Sequence, residues 1–186
     1  MADNLSSIPV NNAVALTQTL LRMNTINPPG NEDQCTRSLA ELLSAAGYEC
    51  RLFDFAPHRS TLVARIGGRS DKPPICCTGH VDVVPLGSAK WAHDPFGAEI
   101  VGDKLYGRGS SDMKSGVAAF TIAAIAVASE IKDSAGLTLV ITAGEETGCE
   151  GAFHLVGMED VADILGKAGA LVVAEPTGNE PLVGHK

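Results

Sequence analysis

The stretch Ile75-Cys76-Cys77-Thr78-Gly79-His80-Val81-Asp82-Val83-Val84-Pro85 decides how the rest of the chain is read. An apolar, β-branched and sulfur-bearing run leads into a glycine, and then into a histidine and an aspartate two positions apart. In an extended backbone residues i and i+2 share a face, so His80 and Asp82 emerge side by side where a buried strand runs out. A metal-ligating histidine usually gives its other ring N–H to a carboxylate, which fixes its tautomer. Taken alone, His-x-Asp reads more readily as a polar turn after a strand. The carboxylates downstream change that balance.

Three further segments of buried type end in acidic groups. Leu137–Ala143 is a continuous apolar run that stops at Gly144-Glu145-Glu146, and Gly169–Ala174 is another, ending in Glu175-Pro176-Thr177. Residues 107–116, GRGSSDMKSG, place Asp112 where an Ala/Ile/Val-rich helix to about Ser129 begins. In α/β sheets ligands bind at the carboxyl ends of strands. Carboxylates gathered there repel one another and are costly to desolvate unless a cation compensates. One histidine with three or more carboxylates suits a zinc-type or mixed divalent site. Neighbouring side chains on a strand end diverge, so one of Glu145 and Glu146 ligates while the other takes a proton from activated water. Singly, Asp112 reads as well as a helix N-cap, and Glu175 as a solvated turn.

Working outward, Val14, Leu16, Leu20, Leu21 and Met23 predict an amphipathic helix ended by the breaker Asn27-Pro28-Pro29-Gly30. Asn31 is expected to cap a second helix over 32–46, closed by Gly47. Strands are expected over 49–55 and 61–66, and a surface turn over 70–74. Residues 85–103 form a long loop holding Trp91, and 104–106 a short strand; 151–155 suggest a short helix. Strands alternating with helices, with continuous apolar runs, predict an α/β fold: helix, sheet, helix, with a mostly parallel sheet.

The chain of 186 residues is long enough for one domain with a core. Lys+Arg of 14 against Asp+Glu of 22 gives a formal charge of −8, and no basic run appears, which argues against nucleic acid and anionic membranes as partners. Residues 1–10 carry no secretory pattern, and the longest apolar stretch, 117–128, is too short to span a bilayer. The cysteines, Cys35, Cys50, Cys76, Cys77 and Cys149, form no Cys-x-x-Cys pair, and the expectation is a reducing, cytoplasmic setting. Cys76 and Cys77 are expected to face opposite sides of the sheet. The glycine-rich segment lacks the pattern of a P-loop or dinucleotide site. No Gly-x-Ser-x-Gly elbow is present. His58, His93 and His154 read as surface or packing residues, with His93 nearest the site and His185 near the last residue.

The segments GHVDVVP (79–85), WAHDPFGAEIVGDKLYGRGSSDMKSG (91–116), TAGEETGCEGA (142–152) and VVAEPTG (172–178) resemble the di-zinc amidohydrolases of the acetylornithine deacetylase, succinyl-diaminopimelate desuccinylase, aminoacylase and glutamate carboxypeptidase group. The resemblance implies that His80 and Glu175 bind one zinc, Asp112 bridges two, and Glu146 binds the second. Cobalt or manganese could substitute. It implies Glu145 as general acid/base, Asp82 holding His80, and a cis peptide after Asp112. The implied reaction is hydrolysis of an N-acyl amino acid amide bond by a water bridging the two zincs. A dipeptidase or carboxypeptidase of the same group is the alternative, and a non-catalytic binding domain the rival from another class. Family members run to about twice this length. Residues 1–186 would thus be the N-terminal part of a zinc-peptidase-like catalytic domain. A dimerising lid, the return of the catalytic domain and a further histidine would lie elsewhere, making the complete protein a homodimer and the isolated stretch inactive.

Overall fold

A computed structural model describes residues 12–68 and 71–184. Expectations for residues 1–10, for Ser70 and for His185 fall outside the described residues. Helix α1 (Ala13–Arg22) starts where the Asn12 side chain accepts a hydrogen bond from the Ala15 N–H at 2.9 Å. It buries Leu16, Leu20 and Leu21. Helix α2 (Asp33–Ala45) buries Leu39 and Leu43. Asn31 does not cap it: Glu32 occupies the cap position, already helical, and its carboxylate turns inward to Arg59. A charged partner in the core outcompetes the local cap.

Strands β1 (Glu49–Ala56), β2 (Arg59–Ile66), β3 (Ile75–His80), β6 (Leu137–Thr142) and β7 (Ala170–Val173) form one sheet in the order β1-β2-β6-β3-β7. The α/β layering is as expected, and the sheet is mixed. Strands β1, β2 and β6 pair antiparallel, whereas β3 is parallel to both β6 and β7. Helices α1 and α2 and the long α3 (Lys114–Ile131) cover one face. The short α4 (Glu150–Val156) and α5 (Val161–Leu165) lie against the other, through Leu155, Val161 and Leu165. Cys76 and Cys77 do face opposite layers, and every cysteine is a free thiol.

Three elements differ from expectation. The 85–103 loop contains a strand, β4 (Glu99–Val101), paired with β5 (Lys104–Tyr106) in a small separate hairpin. Helix α5 has too short an apolar pattern to be seen in sequence. Strand β7 is apolar like a central strand but is the outermost strand of the sheet among the described residues, with Leu171, Val172 and Val173 about half exposed. Composition records what a strand needs covered; topology sets its place in the sheet.

Helix α3 is long and apolar enough to cross a bilayer by length and composition alone. Here it packs on α1, β3 and β6 and buries Val117, Ala118, Thr121, Ile122, Ala124 and Ala128. Its first turn approaches the sheet closely because Gly116 has no side chain: a Cβ there would lie 2.5 Å from the Ala174 carbonyl oxygen. That contact sets the start of α3 beside the end of β7.

Candidate metal centre

Because β6, β3 and β7 are neighbours and parallel, their carboxyl ends open on the same side. His80 is the last residue of β3. Glu145 and Glu146 follow β6, and Glu175 follows β7. Asp112 arrives from the turn before α3, across a cis Asp112–Met113 peptide, as the resemblance implied. Four chain segments remote in sequence are thereby brought to one place.

The groups converge on one atom. His80 Nε2 lies 3.0 Å from Asp112 Oδ1, 3.6 Å from Glu175 Oε1 and 3.7 Å from Glu145 Oε2. Glu146 joins His80 and Asp112 in a second set, so His80-Asp112-Glu146 and His80-Glu145-Glu175 each have potential ligand atoms within 4.8 Å of one another. All six residues singled out in the sequence are in this region.

The imidazole is held from behind. Its Nδ1 is 3.0 Å from the Asp82 main-chain carbonyl and 3.4 Å from Asp82 Oδ1. A carbonyl oxygen can only accept, so Nδ1 carries a proton, and Nε2 is the nitrogen turned to the carboxylates: it donates to them while the ring is charged and offers a lone pair once that proton is released. Asp82 therefore holds His80, through its backbone as much as its side chain. Its carboxylate has a second task. Oδ1 accepts the Glu145 N–H and Oδ2 the Glu146 N–H, both at 3.1 Å, so one buried anion seats the loop bearing the glutamate pair. Gly144, with φ of +72°, makes the turn into that loop.

Electrostatics reflect the crowding. Burial disfavours a charged His80, but the hydrogen bond and charge of Asp82, with the charges of Glu175 and Glu145, outweigh it and push the imidazole from 6.5 up to about 9. Burial would raise Asp82, yet donors from His80, Asn27 and the Glu145 N–H, with the His80 charge, bring it below the usual carboxylate range. Glu146 moves the other way. Burial raises it, and the charges of Asp112, Glu145 and Asp82 add to that against the opposing His80. Several carboxylates gathered around an imidazole that can release its Nε2 proton form a donor set suited to a divalent cation.

Lys114, two residues after Asp112, drew no attention in the sequence. It is fully buried and donates to the Leu20 and Met23 carbonyls at 2.9 and 2.8 Å, tying the end of α1 to the start of α3. Asn27, read as part of a breaker, is also buried and reaches Asp82. A lysine or asparagine beside glycines and prolines looks solvated in sequence; only packing reveals otherwise. Of the remaining histidines, His93 stacks on Tyr106 and pairs with Glu99, His154 packs near Phe55, and His58 is exposed beside Asp33.

A β-sheet with an imidazole and acidic groups at the carboxyl ends of parallel strands is the frame of a metallohydrolase. Residues 76–185 match Peptidase family M20/M25/M40, and the chain belongs to that family. It is 41% identical over 166 residues to succinyl-diaminopimelate desuccinylase 2 of Ruegeria sp. (strain TM1040), covering 88% of this chain and 41% of that protein. It is 40% identical over 176 residues to the succinyl-diaminopimelate desuccinylase of Gluconobacter oxydans (strain 621H), covering 91% of this chain and 44% of that protein. The chain thus spans less than half the length of these curated relatives. In fold it is similar to the M20 family metallo-carboxypeptidase Sso-CP2 from Sulfolobus solfataricus (TM-score 0.74, 22% identity, 88% of this chain and 37% of that one).

Proposed function

We propose that these residues are the metal-binding half of the active site of an amide hydrolase that removes the acyl group from an N-acyl amino acid, of the desuccinylase or deacetylase type. The observation that carries this reading is the approach of Asp112, Glu145 and Glu175 to Nε2 of a buried His80. The identity with desuccinylases supports the substrate class.

In this reading His80, Asp112 and Glu175 hold one divalent ion, and Asp112 and Glu146 contribute to a second. Zinc is the expected metal, with cobalt or manganese as substitutes. Bound there, the ions would supply Lewis-acid polarisation of the scissile carbonyl and would make a nearby water more acidic. Glu145 takes the proton of the attacking water and returns it to the leaving amine; its carboxylate is partly exposed and faces the same opening. Asp82 fixes the His80 tautomer and seats Glu145. The other metal-binding histidine, the substrate contacts and a dimerising lid are assigned to the part of the longer relatives that this chain does not span. A cytoplasmic location belongs to the same proposal, supported by the free thiols.

The test is a Glu145→Gln variant of the full-length protein. The expected result is a kcat lower by roughly 10²–10⁴-fold with bound metal unchanged. Unchanged turnover would remove Glu145 from its role. Turnover of dipeptides, with N-succinyl-diaminopimelate and N-acetylornithine both inert, would replace the deacylase reading by a dipeptidase.

A further inference from the structure

We infer that Asn27 is a positioning residue for the metal centre, bracing from behind the loop that carries Glu145 and Glu146. Asn27 sits between α1 and α2 and is 2% exposed. Its backbone is pinned to the strand exit below His80: the Asn27 N–H donates to the Val83 carbonyl at 2.9 Å, and the Val83 N–H to the Thr25 carbonyl at 3.1 Å. Its side-chain Nδ2 spends its two hydrogens on opposite sides of the site. One goes to Asp82 Oδ2 at 2.9 Å and the other to Thr147 Oγ1 at 2.8 Å.

The amide orientation is forced. Asp82 is an ionised carboxylate and only accepts. Thr147 uses its own proton on Glu150 Oε2 at 2.9 Å, so towards Asn27 it too must accept. Only an NH₂ group satisfies both. Glu150 is in turn gripped by Arg59 Nη1 at 2.7 Å, and Arg59 Nη2 by the fully buried Glu32 at 2.9 Å. A continuous chain of polar contacts therefore runs from the start of α2 through Arg59, Glu150, Thr147 and Asn27 to Asp82.

Asp82 already seats the Glu145 and Glu146 N–H groups, and Thr147 is the next residue. Asn27 thus supports the glutamate pair at both of its anchors and sets the spacing between the β3 exit and the β6 exit. Neither an alanine nor a carboxylate can do this. Asn27→Ala removes both donors, and Asn27→Asp sets a second carboxylate against Asp82.

This inference rests on reading the His80 cluster as the metal centre, and the experiment separates the two. Zinc affinity of the full-length protein is measured by competition with a chromophoric chelator, alongside thermal unfolding. Partners behind metal ligands typically affect affinity by about 10–100-fold, and that is the loss expected for Asn27→Ala and for Asn27→Asp. Thr147→Val, at an exposed position, is expected to show a smaller loss, and Asn27→Ala with Thr147→Val no more than Asn27→Ala alone. Thr36→Val breaks the buried Thr36–Ser60 hydroxyl pair (2.6 Å) and is expected to lower stability without changing zinc affinity. Wild-type zinc affinity in both Asn27→Ala and Thr147→Val, with binding abolished in His80→Ala, would overturn the role of Asn27 and leave the metal centre standing. Wild-type affinity in His80→Ala would overturn both.

Discussion

Two acidic clusters lie within this domain, joined by Thr147 and Asn27, and they are built on opposite principles. Around Arg59, the carboxylates of Glu32 and Glu150 share one guanidinium that also stacks on Phe55 at 4.9 Å. The chain neutralises its own buried charge there, with a permanent cation in bidentate geometry. Around His80, three carboxylates approach an imidazole whose charge depends on pH. A group that can give up its proton leaves room for another cation. The first cluster is architecture, and the second is the one proposed to take a cation. Acid content alone does not separate them; the nature of the basic partner does.

The difference is broken most sharply at Arg59. Arg59→Leu leaves Glu32 buried without its guanidinium, and loss of one partner of a buried pair costs about 3–5 kcal/mol. Urea unfolding of the full-length protein should show this. A partial recovery is expected when Glu32→Gln is added, because the stranded charge is then removed.

At His80 the expected response is to pH. A folded-state value raised from 6.5 to about 9 means that the metal-free protein gains stability from the imidazolium below about pH 6.5 and loses it as pH climbs through about 9. Metal uptake displaces that proton, so zinc affinity should rise about tenfold per pH unit and level off near pH 9. A flat profile over that range would show that His80 does not exchange its proton for the ion. The Arg59 cluster should show no such dependence there, since a guanidinium stays charged.

The smallest effect is expected where charge is paired in solvent. Arg51 and Asp160 are 3.2 Å apart with about half of each side chain exposed. Arg51→Ala should change stability by less than about 1 kcal/mol, and less again in high salt. A larger loss would mean that its position over the Phe53 ring, 5.2 Å away, matters more than its charge.

Much of this was readable before the fold was in hand. Leu16, Leu20, Leu39 and Leu43 repeat at helical spacing, so α1 and α2 follow from local physics. Leu137–Thr142 carries no charge and combines Leu, Val and Ile with two threonines, and its residues from Thr138 on are buried because both faces of β6 are covered. Each acidic or imidazole group of the candidate site follows an apolar run or stands near the start of a helix, so His80, Asp112, Glu145, Glu146 and Glu175 stood out one by one. These are properties of short stretches, and short stretches are what periodicity and punctuation report.

What tertiary structure alone decided is which of those ends meet, and what lies behind them. The apolar run at β7 says that it needs cover but not that it lies beside β3. Lys114, Glu32, Arg59 and Asn27 are polar residues in ordinary polar surroundings, and nothing local separates them from solvated ones. They become supports because the fold removes water from them and offers each a partner dozens of residues away: Lys114 the carbonyl of Leu20, Glu32 the guanidinium of Arg59, Asn27 the carboxylate of Asp82. Burial and long-range partners belong to packing rather than to neighbouring residues. That is why the candidate ligands could be read from the chain and the frame that aims them could not.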